Sequence, residues 1–101
     1  EELRACVEEA GRRQVYVMAH AHGADGIVRA AKAGCRSIEH ASFIDAAGIE
    51  ACLENNTWIV PTFMIGEYYD EIGSKSGVQD RMIELAKQTR QRYLSSIQAA
   101  V

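Results

Sequence analysis

Residues 15–40 read VYVMAHAHGADGIVRAAKAGCRSIEH, and the fold turns on how this stretch divides. Its first five residues, Val15-Tyr16-Val17-Met18-Ala19, make an unbroken apolar run, the pattern of a strand buried on both faces. Such strands belong to parallel sheets. Ala24 or Asp25 then opens a helix through Gly26-Ile27-Val28-Arg29-Ala30-Ala31-Lys32-Ala33, and Gly34 is placed to stop it. Cys35-Arg36-Ser37-Ile38-Glu39-His40 follows as a second short strand. Strand, helix and strand joined by short links form the unit that builds parallel sheets through right-handed crossovers.

The same alternation continues outward. Upstream, Leu3, Cys6, Val7 and Ala10 fall on one helical face from Glu1 to Ala10, with Gly11 as the expected stop. Downstream, Asp45 reads as an N-cap, Ile49, Cys52 and Leu53 share a face, and Asn55-Asn56 ends that helix. Thr57-Trp58-Ile59-Val60-Pro61-Thr62 is the third strand. Ser76-Gly77-Val78-Gln79 has the form of a capping box, after which Val78, Met82, Leu85, Ala86, Thr89, Tyr93, Ile97 and Ala100 trace one face of the longest helix. The order α-β-α-β-α-β-α fits an eight-stranded barrel or an open doubly wound sheet. A barrel of about 250 residues uses about 30 per unit, so if the parent is a barrel the chain is α/β, a partial (β/α)8 TIM barrel of about three parallel strands with flanking helices. The missing initiator Met and the charged helical opening at Glu1 add the expectation of a piece of something longer, residues 1–101 forming part of one barrel domain.

Composition narrows the function classes. The 101 residues are 48% hydrophobic and 25% charged, which bounds the chain at one globular domain or less. The net charge of −3 offers phosphate backbones and anionic lipid no long-range attraction, so neither nucleic acid nor membrane is an expected partner. No apolar run approaches the roughly 20 residues of a spanning helix, and no signal-peptide pattern opens the chain, which points to the cytoplasm. Cys6, Cys35 and Cys52 lack CxxC spacing and read as small buried apolar residues in a reducing compartment. Trp58 and Phe63 are expected in the core.

His20, His22 and His40 are the three histidines, and each sits where a strand gives way to a loop. Ligands and reacting groups gather at the carboxyl ends of strands in parallel α/β folds. His20 and His22, two apart, look to the same side, and His40 stands at the end of the neighbouring strand. Imidazoles so placed are able to share one metal ion. The alternative is three structural histidines in a non-catalytic α/β module. A doubly wound binding domain finds only the weak Gly-rich turn His22-Gly23-Ala24-Asp25-Gly26, where Asp25 would repel a phosphate. The long connection from Phe63 to Lys75 carries Glu67, Tyr68, Tyr69 and Asp70, either as a substrate wall or as a solvated loop.

The segments Val17-Met18-Ala19-His20-Ala21-His22-Gly23, Gly26-Ile27 through Ala33-Gly34, and Ser37-Ile38-Glu39-His40-Ala41 together resemble the metal-dependent amidohydrolase superfamily, in its imidazolonepropionase-like and Xaa-Pro dipeptidase-like branch. The resemblance implies that His20 is the metal ligand ending the fifth barrel strand and His40 its counterpart on the sixth, with Trp58 to Thr62 in the seventh. A rival alignment, with His20-Ala21-His22 as the first-strand HxH pair, fits the following turn, helix and Glu39-His40 strand less well. On the favoured match His22 contacts a substrate carbonyl or carboxylate. The implied activity is hydrolysis of a C–N bond in a small molecule or dipeptide by a metal-activated water, with one or two divalent ions, zinc first among them. The family's first-strand HxH, fourth-strand lysine and eighth-strand aspartate have no counterpart here, so the piece alone is expected to be inactive. His40 stays open between ligand and hydrogen-bond partner, and assembly of the parent into a homo-oligomer stays open too.

Overall fold

A computed structural model describes residues 1–63, 68, 71 and 73–101. Helix α1 spans Glu2–Arg12, β1 Met18–Gly23, α2 Ala24–Ala33, β2 Ser37–Phe43, α3 Ala46–Glu54 and β3 Trp58–Val60. A 3-10 turn over Gly73–Ser76 precedes α4, Asp80–Ala100. The strands form one parallel sheet in the order β1-β2-β3, the α/β arrangement expected of part of a (β/α)8 barrel.

Local chemistry sets the boundaries. Asp45 caps α3 by accepting a hydrogen bond from the Gly48 N–H at 2.9 Å. At the end of α2 only Gly34, with φ +94°, takes the left-handed turn at low cost, and the N–H groups of Gly34 and Cys35 close on the Ala31 and Ala30 carbonyls. Helix α2 starts at Ala24, with extended Gly23 rather than an Asx residue as N-cap and Asp25 inside the first turn. Gly11 lies inside α1 rather than ending it. The helix starts later than the Ser76 capping-box pattern suggested: Ser76 ends the 3-10 turn, and α4 begins after Gln79, which as N-cap makes no side-chain cap.

The core lies where α2 and α3 meet one face of the sheet. Ile27, Ala30 and Ala31 of α2, Cys35, Ile38 and Ala41 around β2, and Ala51 and Cys52 of α3 are all buried, and Ile97 of α4 joins them. The alanines let helix and sheet approach closely, and at Gly48 a methyl group would already stand 2.9 Å from Ile44 Cγ1.

Three expectations are corrected here. The first strand runs over residues 18–23, not 15–19, and it is half-buried rather than covered on both sides. The ladder begins only where Arg36 N–H reaches the Val17 carbonyl at 2.8 Å, so Val15 and Tyr16 precede it and stay exposed. Trp58 is 66% exposed because it is in register with Ser37 and Met18 on the face away from the helices, while its neighbour Ile59 pairs with buried Ile38; Phe63, past the end of β3 and bordering a cavity, is 45% exposed. Cys35 and Cys52 are buried as expected, whereas Cys6 is exposed. Among the described residues no helix is long and apolar enough to cross a membrane.

Candidate active site

The carboxyl ends of the three strands bring the histidines together. Ala21 faces α2, where its Cβ would lie 3.8 Å from a methyl on Gly26, so pleat alternation turns His20 and His22 to the opposite face. His40 pairs with Ala21, and in a regular strand it would share the core-facing side with Ile38. The backbone prevents this. His40 and Ala41 take φ of +71° and +48°, and the register slips so that Gly23 pairs with Phe43. This bulge sends Ala41 into the core, with no exposed surface, and swings the His40 ring to the side of His20 and His22. Non-glycine residues in that region cost about 1–3 kcal/mol each and cluster at functional sites.

The resulting contacts are short. His20 Nδ1 lies 3.0 Å from His40 Nε2, and His40 Nδ1 lies 3.0 Å from Thr62 Oγ1. The His22 ring stacks on His40 at 4.7 Å and 8° between planes, and its Nδ1 is 2.8 Å from Ser42 Oγ. Thr62 N–H donates to Tyr93 Oη at 2.7 Å. Beside these rings opens a cavity of about 800 Å³. Polar groups of His22, His40, Ser42 and Thr62 line one side, while Phe63 and the α4 residues Met82, Leu85 and Ala86 form an apolar wall. Met82 and Leu85 belong to the apolar face expected of this helix, but they are half exposed and face the cavity, while Ile83 takes a buried place.

Burial, followed by the nearby His22 and His20 rings, lowers the His40 pKa, and Glu39 opposes the shift. The folded protein thus holds this proton less tightly than the unfolded chain. The His40 contribution to stability is complete above about pH 6.5, the ordinary histidine value, and is lost as the pH falls through its lowered one. The metal-free protein is expected to show a falling urea midpoint below about pH 6.5, with a flatter profile for His40→Gln. Identical profiles for the two would show that His40 carries none of the dependence.

The nitrogens of His20 and His40 fit two neighbouring positions on one ion, since ligands at about 2.0–2.1 Å from a zinc lie about 3.0–3.4 Å apart. The Thr62 contact occupies the other His40 nitrogen, as outer hydrogen bonds to ligating imidazoles do. Among the described residues no third His, Cys, Asp or Glu completes a site. Thr62, Ser42 and Tyr93 were not singled out as site residues from the sequence. Thr62 ends its strand as His40 ends the one before, a positional signal that was available. Glu67, Tyr69 and Asp70 of the expected substrate wall lie outside the described residues, and Tyr68 is 47% exposed.

The profile of the Amidohydrolase family matches residues 1–98. The chain belongs to the amidohydrolase family. A curated relative, ochratoxinase of Aspergillus niger, is 36% identical over 104 residues, covering all of this amidohydrolase chain and 22% of the relative. The chain therefore spans about a fifth of the length of the curated relatives it matches. Among solved structures, a prolidase in complex with N-methylphosphonate-L-proline superposes with a TM-score of 0.87 at 30% identity, over 98% of this chain and 24% of the other. A Xaa-Pro dipeptidase with methionine in its active site gives 0.79 at 34% identity, over 99% and 25%. The A. niger ochratoxinase structure gives 0.82 at 34% identity, over 99% and 22%.

Proposed function

We propose that residues 1–101 form part of an amidohydrolase barrel domain that hydrolyses a C–N bond, in an amide, a cyclic amide or a dipeptide, with His20 and His40 as metal ligands. The observation that carries this reading is the 3.0 Å approach of His20 Nδ1 to His40 Nε2 at adjacent strand ends, at the mouth of a cavity. Prolidase and dipeptidase relatives, one with a proline phosphonate and one with methionine bound, support a small amino-acid-like substrate. The two imidazoles would hold a divalent ion, zinc before others, which would supply Lewis-acid polarisation of a carbonyl and acidification of a water.

The chain's own residues bind and orient. His22, held by Ser42 and stacked on His40, presents its ring to the cavity as a contact for a substrate carbonyl or carboxylate. Met82, Leu85 and Ala86 of α4 offer the substrate an apolar contact on the side away from the histidines. Two imidazoles leave a tetrahedral ion short of ligands, so the isolated chain is proposed to turn over negligibly.

Zinc titration followed through the imidazole ring protons tests the assignment. His20 and His40 are expected to shift together at one equivalent. His20→Ala or His40→Ala should weaken binding by more than the roughly 10- to 100-fold typical of outer partners. Zinc that perturbs neither ring, or robust metal-dependent hydrolysis of dipeptides by the chain alone, would overturn the respective parts of the proposal. Rings that respond independently would favour three structural histidines.

A further inference from the structure

We propose that Tyr93 and Thr62 are positioning residues for His40, forming a line of hydrogen bonds from α4 through the end of β3 that aims the ring at His20. The inference rests on the metal-ligand reading of His40 for its consequence, but not for its geometry. The left-handed backbone of His40 takes it out of the regular pleat, so strand geometry alone does not fix where its ring points. The Thr62 hydroxyl at 3.0 Å from Nδ1 leaves Nε2 directed at His20.

Thr62 itself needs an anchor. The last ladder pair of β3 is Val60 with Glu39, so Thr62 stands two residues past the sheet, and its N–H is donated to the Tyr93 hydroxyl at 2.7 Å instead of to a strand. Tyr93 is well placed to hold it. Its ring is partly buried against the core and 5.4 Å from Phe63, and Ile97, one turn further along, is among the buried core residues. The line Tyr93, Thr62, His40, His20 thus crosses from α4 over all three strands. Outer hydrogen bonds of this kind orient ligating imidazoles, and their loss typically costs 10- to 100-fold in metal affinity.

Thr62→Val, Thr62→Ser and Tyr93→Phe test the line, each checked for a cooperative thermal melt. In the metal-free protein, the His40 ring 15N shifts and the cross-relaxation between His20 and His40 ring protons report orientation. In Thr62→Val the shifts are expected to move and the cross-relaxation to vanish, with zinc bound about 10- to 100-fold more weakly. Tyr93→Phe is expected to weaken zinc about tenfold with the melt retained, and Thr62→Ser to match the unmodified protein. Unchanged ring signals and zinc affinity in Tyr93→Phe would reject the proposal, also where Thr62→Val fails to fold. Should zinc leave the unmodified rings unperturbed, the metal reading fails while the metal-free signals still decide the line.

Discussion

Ile38→Ala is expected to lower the free energy of unfolding by about 3–4 kcal/mol, within the range for deleting buried aliphatic side chains. Ile38 is fully buried on the central strand, paired with Ala19 on one side and Ile59 on the other. Most of the buried residues of the surrounding cluster are alanines and cysteines, which have little side chain with which to close the space. Against a typical total of about 5–15 kcal/mol, the variant loses a large share of its stability. Urea unfolding at neutral pH measures it. A loss below about 1 kcal/mol would mean that the sheet and helices collapse around the vacancy, contrary to the packing described.

The second large effect is expected at Ala41. Valine there meets two penalties at once: a branched side chain in the left-handed region, and extra methyl groups in a position with no exposed surface. Together these cost about 2–4 kcal/mol. The cheapest escape is for the bulge to relax toward a regular strand, which would carry His40 back toward the core side and break its contact with His20. Ala41→Val is therefore expected to lose the ring-to-ring cross-relaxation along with stability, whereas Ala41→Gly keeps the bulge and stays within about 1 kcal/mol of the original. Equal stability for valine and glycine at 41 would remove the conformational argument.

Much of this architecture is legible in the sequence because each local signal agrees with the next. Gly34 takes the turn that ends α2 and Asp45 caps α3, both at the positions expected of them. The histidines were found by position at strand ends, and they do converge. What escaped notice depends on tertiary geometry. The extension of β1 through His20 and His22 is hidden because polar residues at a strand's open end look like a loop. The bulge at His40 and Ala41 leaves no trace in hydrophobic pattern, since it is a matter of φ. Periodicity marked Met82 and Leu85 as an apolar face but said nothing of what that face looks upon. The Thr62 to Tyr93 bond joins residues 31 apart, and only the packing of α4 over the strand ends brings them together.

Helix α4 divides its labour along its length. Toward its end, Ile97 is buried in the core and Ala100 packs against it, while Met82 and Leu85, nearer its start, border the cavity half exposed. Substitutions at the first set change whether the molecule folds, and those at the second change the shape of the cavity at little energetic cost. That separation is a source of evolvability. A lineage carrying this helix is free to explore new side chains at Met82 and Leu85, and so new cavity shapes, without first acquiring compensating mutations in its interior.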